Sequence, residues 1–258
     1  MKIIFALNVL FLALFLTHAG AQTNAAPPAA TAPPSSPTVG AAPAPAPATF
    51  HPMIFHPPGG VSGGILPIRV GGGSRGGPND GLSVQVLVPE QIALTTEAQP
   101  SLYWFQNKAA KTRCEVTVTE PKNPKPLLEM KSGASVPAGI HAIRLSKFNV
   151  SLKPDVTYKW SVAVVVDPDN RSLDVVANGV IKRVAPSTDL ASKLSAAADT
   201  DKAAIFAENG IWYDALQAIS DQIDKSPKDA ALRQERSDLL KQVGMDGATM
   251  DATLSSSP

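Results

Sequence analysis

Residues 155–166, with the sequence DVTYKWSVAVVV, decide the fold of this chain. Apolar and aromatic side chains recur there at every second position, and the residues of this set are Val156, Tyr158, Trp160, Val162, Val164 and Val166. A period of two is that of a half-buried β-strand. The pattern therefore predicts a strand that places Tyr158 and Trp160 in a hydrophobic core.

Other short segments predict further strands around this one. They alternate or are strongly aromatic, and they cover residues 82–88, 102–105, 112–119, 127–130, 140–145 and 172–184. Short strands at this spacing are typical of a β-sandwich. Leu152, Pro154, Tyr158 and Trp160 occupy the positions of a tyrosine corner, in which the tyrosine hydroxyl bonds to the backbone a few residues upstream. We therefore expect an immunoglobulin-like antiparallel β-sandwich, with Gly179 at a bulge.

The turn after the central strand, residues 167–172, is rich in acidic and amide side chains. Asp167, Asp169, Asn170 and Asp174 are compatible with a calcium loop, but Arg171 stands at a ligand position of the known pattern. Asp and Asn are also the ordinary residues of turns. The alternative to a metal site is that Arg171 pairs with Asp167 or Asp174 and makes the hairpin rigid.

From Ser187, a predicted N-cap, the period changes to that of helices. Helices are predicted from Leu190 to Ala197 and over residues 200–209, 211–225 and 228–243. Several small, aromatic and proline positions have the spacing of one tetratricopeptide repeat, namely Ala203, Phe206, Gly210, Ala215 and Pro227. One repeat cannot form an array. The predicted fold is therefore mainly β with an α-helical tail, a tetratricopeptide-like helical hairpin that packs on the sandwich.

The first 21 residues predict export. Lys2 precedes an apolar run over residues 3–16, and Ala19-Gly20-Ala21 forms a small-residue cleavage site. This is the pattern of a secretory signal peptide, and the alternative is an uncleaved membrane anchor. We expect cleavage after Ala21, no membrane span after that cleavage, and a periplasmic or extracellular location.

Residues 22–80 predict a disordered tether rich in proline, alanine and glycine. They hold 13 of the chain's 24 prolines, a composition that favours extended spacers. Residues 50–56, which include Phe50 and Phe55, form an apolar island that docks either on the domain that follows or on a partner. The glycine run over residues 71–77 lacks the Lys-Ser/Thr ending of a phosphate loop and predicts a flexible linker. The expected domains are then 81–185 (β-sandwich), 186–244 (helices) and 245–258 (disordered tail).

The charge and the cysteine content of the chain argue against several classes of function. A formal net charge of +1 argues against a dedicated nucleic-acid binder. Cys114 is the one cysteine, so no intrachain disulfide forms, and its Val and Thr neighbours indicate a small buried side chain. His141 stands apart from other catalytic residue types. We expect no enzymatic activity, no cofactor and no metal.

Trp212 and Tyr213 are the aromatic pair that stands out in the helical region. On a helix, adjacent side chains point about 100° apart, so both cannot face the same core. In one interpretation Trp212 packs across to the sandwich. In the other, one ring is exposed and anchors a partner, as Trp and Tyr often do at binding hot spots. The candidate partner-binding residues are Trp212, Tyr213, Phe50 and Phe55.

The order of these parts resembles a family of exported bacterial proteins, common in cyanobacteria, catalogued as a domain of unknown function (DUF 928). Five segments carry the resemblance: 102–105 (LYWF), 152–160 (LKPDVTYKW), 167–172 (DPDNRS), 179–184 (GVIKRV) and 210–216 (GIWYDAL). The family's hairpin often has a cysteine where Val166 stands here. The resemblance implies an exported β domain with a helical tail, and it implies no activity.

The sequence is compatible with three alternative functions. The first is a non-enzymatic envelope protein that binds another envelope protein. The second is a carbohydrate- or cell-wall-binding module, which exposure of Trp104 or Trp212 favours and burial of both disfavours. The third is an envelope hydrolase, which requires a cleft that holds His141 with an acidic residue. Fold alone does not choose between them.

Overall fold

The computed structural model describes residues 52–59, 71–73, 81–133, 135–247 and 249–250. The predicted signal peptide, Phe50 and most of the predicted tether lie outside the described residues. So do residues 251–258 of the predicted disordered tail.

Nine strands in the described part of the chain form two β-sheets. The first sheet is antiparallel, and its order is β1 (Gly72–Gly73), β2 (Ser83–Val86), β4 (Ser101–Gln106) and β7 (Gly139–Arg144). The second has the order β3 (Ala93–Thr95), β9 (Val175–Arg183), β8 (Thr157–Val164), β5 (Cys114–Thr119) and β6 (Leu128–Lys131). All its pairs are antiparallel except β3, which runs parallel to β9.

The central strand β8 has the alternation that its sequence predicts. Tyr158, Trp160, Val162 and Val164 are buried, and the residues between them are partly or fully exposed. The predicted tyrosine-corner bond is confirmed, because the Tyr158 hydroxyl accepts the backbone N–H of Lys153 at 3.0 Å. This bond fixes the loop that leads into the strand that pairs with both β5 and β9.

The sheets differ from the sequence-based expectations at two strands and at Gly179. Residues 71–73 are not linker, because Gly72 and Gly73 pair with β2 as strand β1. A Cβ on Gly72 would lie 2.4 Å from the Val176 carbonyl oxygen, so glycine permits the close backbone approach. Strand β3 was not predicted at all. Gly179 is not in a bulge but pairs in register with Trp160, whose indole nitrogen would lie 2.9 Å from a Cβ there.

Four helices follow the sheets: α1 (Thr188–Ala196), α2 (Lys202–Glu208), α3 (Trp212–Lys225) and α4 (Ala230–Lys241). The predicted Ser187 cap is confirmed, since its hydroxyl accepts the Leu190 N–H at 3.1 Å. Helix α4 begins two residues later than predicted because Asp229 is its N-cap. Met245 and Met250, which fall within the predicted disordered tail, are buried.

The hairpin turn between β8 and β9 is held by ion pairs. Arg171 lies 2.7 Å from Asp174 and 2.8 Å from Glu115 of β5. The predicted pairing with Asp174 is therefore confirmed. Burial opposes ionisation of Glu115, but hydrogen bonds from Arg171 and Arg113 prevail and lower its pKa.

One continuous hydrophobic core joins the sheets, helices α2 to α4 and residues of the 52–59 segment. All described residues belong to one compact unit. No helix within the described residues combines the length and apolar character needed to cross a bilayer.

Candidate functional site

The beginning of α3 is the point where the two sheets, the helices and the N-terminal segment meet. Gly210 precedes the helix with a φ of +73°, a left-handed conformation that favours glycine. Trp212, Tyr213 and Asp214 form the first turn, and all three side chains are buried. Each of them makes a different long-range contact.

Trp212 and Tyr213 each bond to a different sheet. The Trp212 indole N–H donates to the carbonyl of Leu87, just beyond β2, at 2.8 Å. The Tyr213 hydroxyl accepts the Trp160 indole N–H at 2.8 Å and donates to the Val180 carbonyl at 3.1 Å. Because adjacent helical side chains diverge by about 100°, one helical turn reaches both sheets.

Of the two interpretations of this aromatic pair, the structure agrees with the one in which Trp212 packs across to a sheet, and the alternative of an exposed ring is wrong. Trp212 is 0% exposed and Tyr213 is 1% exposed. The physical reason is that each ring brings a polar atom that finds a buried partner, so both fit inside the protein. Burial raises the pKa of the Tyr213 hydroxyl, which keeps it neutral and able to donate.

Asp214 connects α3 to the edge strand β3. Its carboxylate accepts the hydroxyls of Thr95 and Thr96 and, at 2.9 Å, the backbone N–H of Thr96. Burial raises the pKa of Asp214 to about 6, although the threonine bonds act in the opposite direction. Sequence reasoning missed Thr95 and Thr96 because three-residue β3 is too short to show a period.

An open cleft of about 210 Å³ lies beside Asp214, between α2, α3 and the chain after β3. Its charged lining is mixed and consists of Glu97, Asp199, Asp214, Asp221, Lys202 and Lys225. Lys202 pairs with Asp199 at 2.7 Å, and Arg144 pairs with Asp221 at 2.5 Å. In the described part of the chain, no three His, Cys, Asp or Glu side chains are grouped to hold a metal ion.

Residues 52–59, here called the arm segment, lie against helices α2 and α3 and the end of α4. Met53 and Phe55 are buried, whereas Ile54 between them is 53% exposed. The planes of the Phe55 and Trp212 rings lie at 75° to each other, with 4.9 Å between the ring centroids. This is the edge-to-face geometry that aromatic pairs prefer.

The main chain of the arm segment is also bonded. The Gln242 side chain accepts the Phe55 N–H and donates to the Met53 carbonyl, both at 2.8 Å. The His56 N–H donates to the carbonyl of Ala207 at 3.1 Å. We call the surface formed by Ala207, Gly210, Trp212 and Gln242 the arm groove.

Gly210 permits the close approach of the arm segment. A Cβ at this position would lie 2.7 Å from the His56 carbonyl oxygen and 3.2 Å from Cδ of Pro58. The side chain of His56 adds a further contact, its Nδ1 lying 3.1 Å from the Glu208 carbonyl oxygen. The glycine of the GIWYDAL motif thus serves both the backbone turn and the groove.

Of the predicted partner-binding residues, the structure brings together Phe55 and Trp212, while Tyr213 contacts the second sheet. Phe55 docks on the domain that follows it, the first of the two alternatives for the apolar island. Phe50 lies outside the described residues. Gln242 was missed, since a single glutamine near a helix end carries no sequence signal for such a role.

Cys114 and His141, the residues that a hydrolase could use as nucleophile or base, are both buried or engaged in structural contacts. Burial raises the pKa of the Cys114 thiol to about 12. His141 stacks on Trp104 with 5.3 Å between ring centroids, and its Nε2 lies 2.9 Å from the Pro137 carbonyl oxygen. Burial lowers the pKa of His141. Trp104 is 5% exposed, so neither it nor Trp212 presents a ring for stacking on a sugar.

Comparison with known proteins gives one family match. The model of the family described as Domain of Unknown Function (DUF928) matches residues 70–253. No curated protein matches the chain. The matched region contains the sheets, the helices and the whole arm groove, whereas the arm segment precedes it.

Proposed function

The chain belongs to the DUF928 family, and we propose that it is an exported, non-enzymatic envelope protein that serves as a protein-interaction module. The arm groove carries this proposal. It holds an extended segment of polypeptide by main-chain hydrogen bonds and one aromatic contact, which are the means by which peptide-binding domains recognise their ligands. The partner is a second envelope protein.

The export part of the proposal is supported by the sequence. Lys2, the apolar run over residues 3–16 and the Ala19-Gly20-Ala21 site form a signal-peptide pattern. The proline-rich residues that follow suit an extended spacer that positions the folded part within the envelope. A periplasmic or extracellular location follows from this proposal.

The finer fold assignment belongs to the same proposal. An immunoglobulin-like sandwich is supported by the Tyr158 corner and by the antiparallel β5–β8–β9 pairing. A tetratricopeptide-like hairpin is supported by α2 and α3 in contact across the turn at Gly210. Such a helical pair would provide Ala207, Gly210 and Trp212 of the arm groove, and the sandwich its rigid base.

Binding of carbohydrate or cell wall is the alternative function. Burial of both Trp104 and Trp212 disfavours it, because sugar recognition by stacking needs an accessible ring face. A hydrolase is disfavoured further, since His141 bonds to a backbone carbonyl and stacks on Trp104.

Affinity capture from an envelope extract tests the proposal. The bait is residues 22–258, because truncation before α1 would uncover the core that Trp212 and Tyr213 cover. We would compare this bait with Phe55→Ala, which frees the arm groove, and with Ile54→Ala, which changes an exposed neighbour. Cross-links would locate the partner on the bait.

We expect one stoichiometric protein partner, enriched on Phe55→Ala and cross-linked to α2, α3 or α4. Adding Gln242→Ala to Phe55→Ala should reduce its recovery. Capture of glycan or wall fragments would favour the alternative function. If all the baits are folded and capture nothing, the interaction proposal fails.

A further inference from the structure

We propose that the arm groove recognises extended peptide segments with apolar side chains two residues apart, the second aromatic, and that the arm segment is its resident occupant. A partner's segment of the same pattern binds by displacing it. This inference rests on the proposed function and specifies the chemistry of its partner.

The Gln242 side chain gives the groove its affinity for an extended main chain. A carboxamide offers one acceptor and one donor side by side. Here the acceptor takes the Phe55 N–H and the donor reaches the Met53 carbonyl. This is the bonding that a neighbouring β-strand would provide, and it is independent of the peptide's side chains.

The side chains supply specificity. In an extended chain, side chains alternate between two faces, so Met53 and Phe55 point inward while Ile54 faces solvent. Phe55 meets Trp212 edge to face. A small side chain at this position would leave the Trp212 ring uncovered, and only an aromatic residue provides the edge-to-face contact.

The groove also leaves room for the chain to continue beyond the aromatic residue. Gly210 has no side chain to block the His56 carbonyl or the Pro58 ring. Next to Pro57, a cleft of about 270 Å³ continues past Gln242 toward Glu90 and Gln91. A partner segment longer than the arm segment would extend into this cleft.

The covalent connection of the arm segment makes it a competitor. Residues 60–70 connect it to the β domain, and short linkers give local concentrations on the order of millimolar. A partner segment must therefore bind considerably more tightly than the arm segment, or reach a chain whose arm is already released. The arm segment thus restricts the groove to the strongest ligands.

The inference is tested by cutting the connection in the full mature chain. A protease site inserted between Gly63 and Gly64 yields an arm fragment and a remainder whose helices and sheets carry no substitution. Their association is measured by fluorescence anisotropy of a labelled arm fragment. Arm fragments with Phe55→Ala or Ile54→Ala serve as test and matched control.

We expect the two parts to associate, Phe55→Ala to weaken the association roughly thirtyfold, and Ile54→Ala to change it less than about twofold. An unlabelled peptide with the sequence of residues 52–59 should displace the labelled fragment. Equal effects of the two substitutions, or no association at millimolar concentration, would overturn the inference.

The two proposals can fail separately. If capture yields a partner but the arm fragment shows no Phe55-dependent association, this inference is wrong and the interaction function stands. If the arm fragment binds through Phe55 and capture yields nothing, the groove's peptide chemistry stands and the interaction function loses its support.

Discussion

Asp214 is a buried carboxylate whose hydrogen-bond donors come from Thr95 and Thr96. Burial raises its pKa to about 6, from an ordinary value of 3.8. The folded state therefore favours the protonated carboxyl more than the unfolded state does. Its contribution to stability is fully present below pH 3.8 and is lost as the pH rises through 6.

Asp214→Asn should remove this pH dependence. Asparagine cannot ionise, so stability of the variant relative to the wild type should improve by about 3 kcal/mol between pH 3.5 and pH 7. Urea unfolding at several pH values measures this difference. A difference that stays constant over the range would show that Asp214 does not titrate as described.

Tyr213→Phe should be more costly than Tyr158→Phe. The Tyr213 hydroxyl serves two buried groups, the Trp160 indole N–H and the Val180 carbonyl. Loss of these two hydrogen bonds should lower the free energy of unfolding by about 1–3 kcal/mol. Among the described residues, the Tyr158 hydroxyl makes a single bond of this kind, to the backbone N–H of the exposed residue Lys153. Denaturant titration compares the two, and an equal or larger loss for Tyr158→Phe would contradict this account.

At the scale of elements, Gly210 and Gly244 form a matched pair. They follow α2 and α4, with φ values of +73° and +74°. A Cβ on Gly244 meets nothing within 4 Å, whereas one on Gly210 meets the arm segment. Replacing either glycine by alanine would therefore strain the backbone to a similar extent. Only at Gly210 would the added Cβ also clash with the arm segment.

Gly210→Ala should release the arm segment, while Gly244→Ala should not. Both should lose about 1 kcal/mol through the left-handed backbone, and Gly210→Ala should lose further stability through the contact with His56. Limited proteolysis near residue 56 provides the readout. Equal protection of the arm segment in the two variants would show that Gly210 does not support it.

Sequence periodicity predicted the elements that have one buried face. Strand β8 alternates over eight residues, and α3 keeps its apolar positions on one helical face, so both were predicted within about two residues. Strand β3 has three residues and β1 is made of glycine, so neither shows a pattern. Both are defined by pairing with distant residues, which a local pattern does not contain.

The candidate site was predicted only in part for the same reason. The motif around Trp212 and the island around Phe55 stood out by composition. Their contact joins residues more than 150 positions apart, and no spacing rule connects them. Gln242 and Thr95 contribute through geometry alone, so their roles were invisible before the fold was known.

At the scale of the whole molecule, the helices complete the core of the sheets. Trp160 bonds to Tyr213, and the Leu87 carbonyl accepts from Trp212. A chain that ends at Ala185 would leave these groups without their partners. The sheets and helices should accordingly unfold together.

A chain that ends at Ala185 should show no cooperative thermal transition. The control is a chain that begins at Pro52, which keeps every described residue and should unfold in one transition. Scanning calorimetry distinguishes them. A cooperative transition in the shorter chain would mean that the sheets fold without the helices.

The most direct test of the central claim, that the arm groove holds the arm segment as a peptide ligand, is amide hydrogen exchange of Phe55 and His56. Their N–H groups donate to Gln242 and Ala207. We predict exchange at least about 100-fold slower than in an unstructured peptide, equivalent to a bound fraction above 99%. Exchange at the unstructured rate, with the amides of β8 still protected, would contradict the claim.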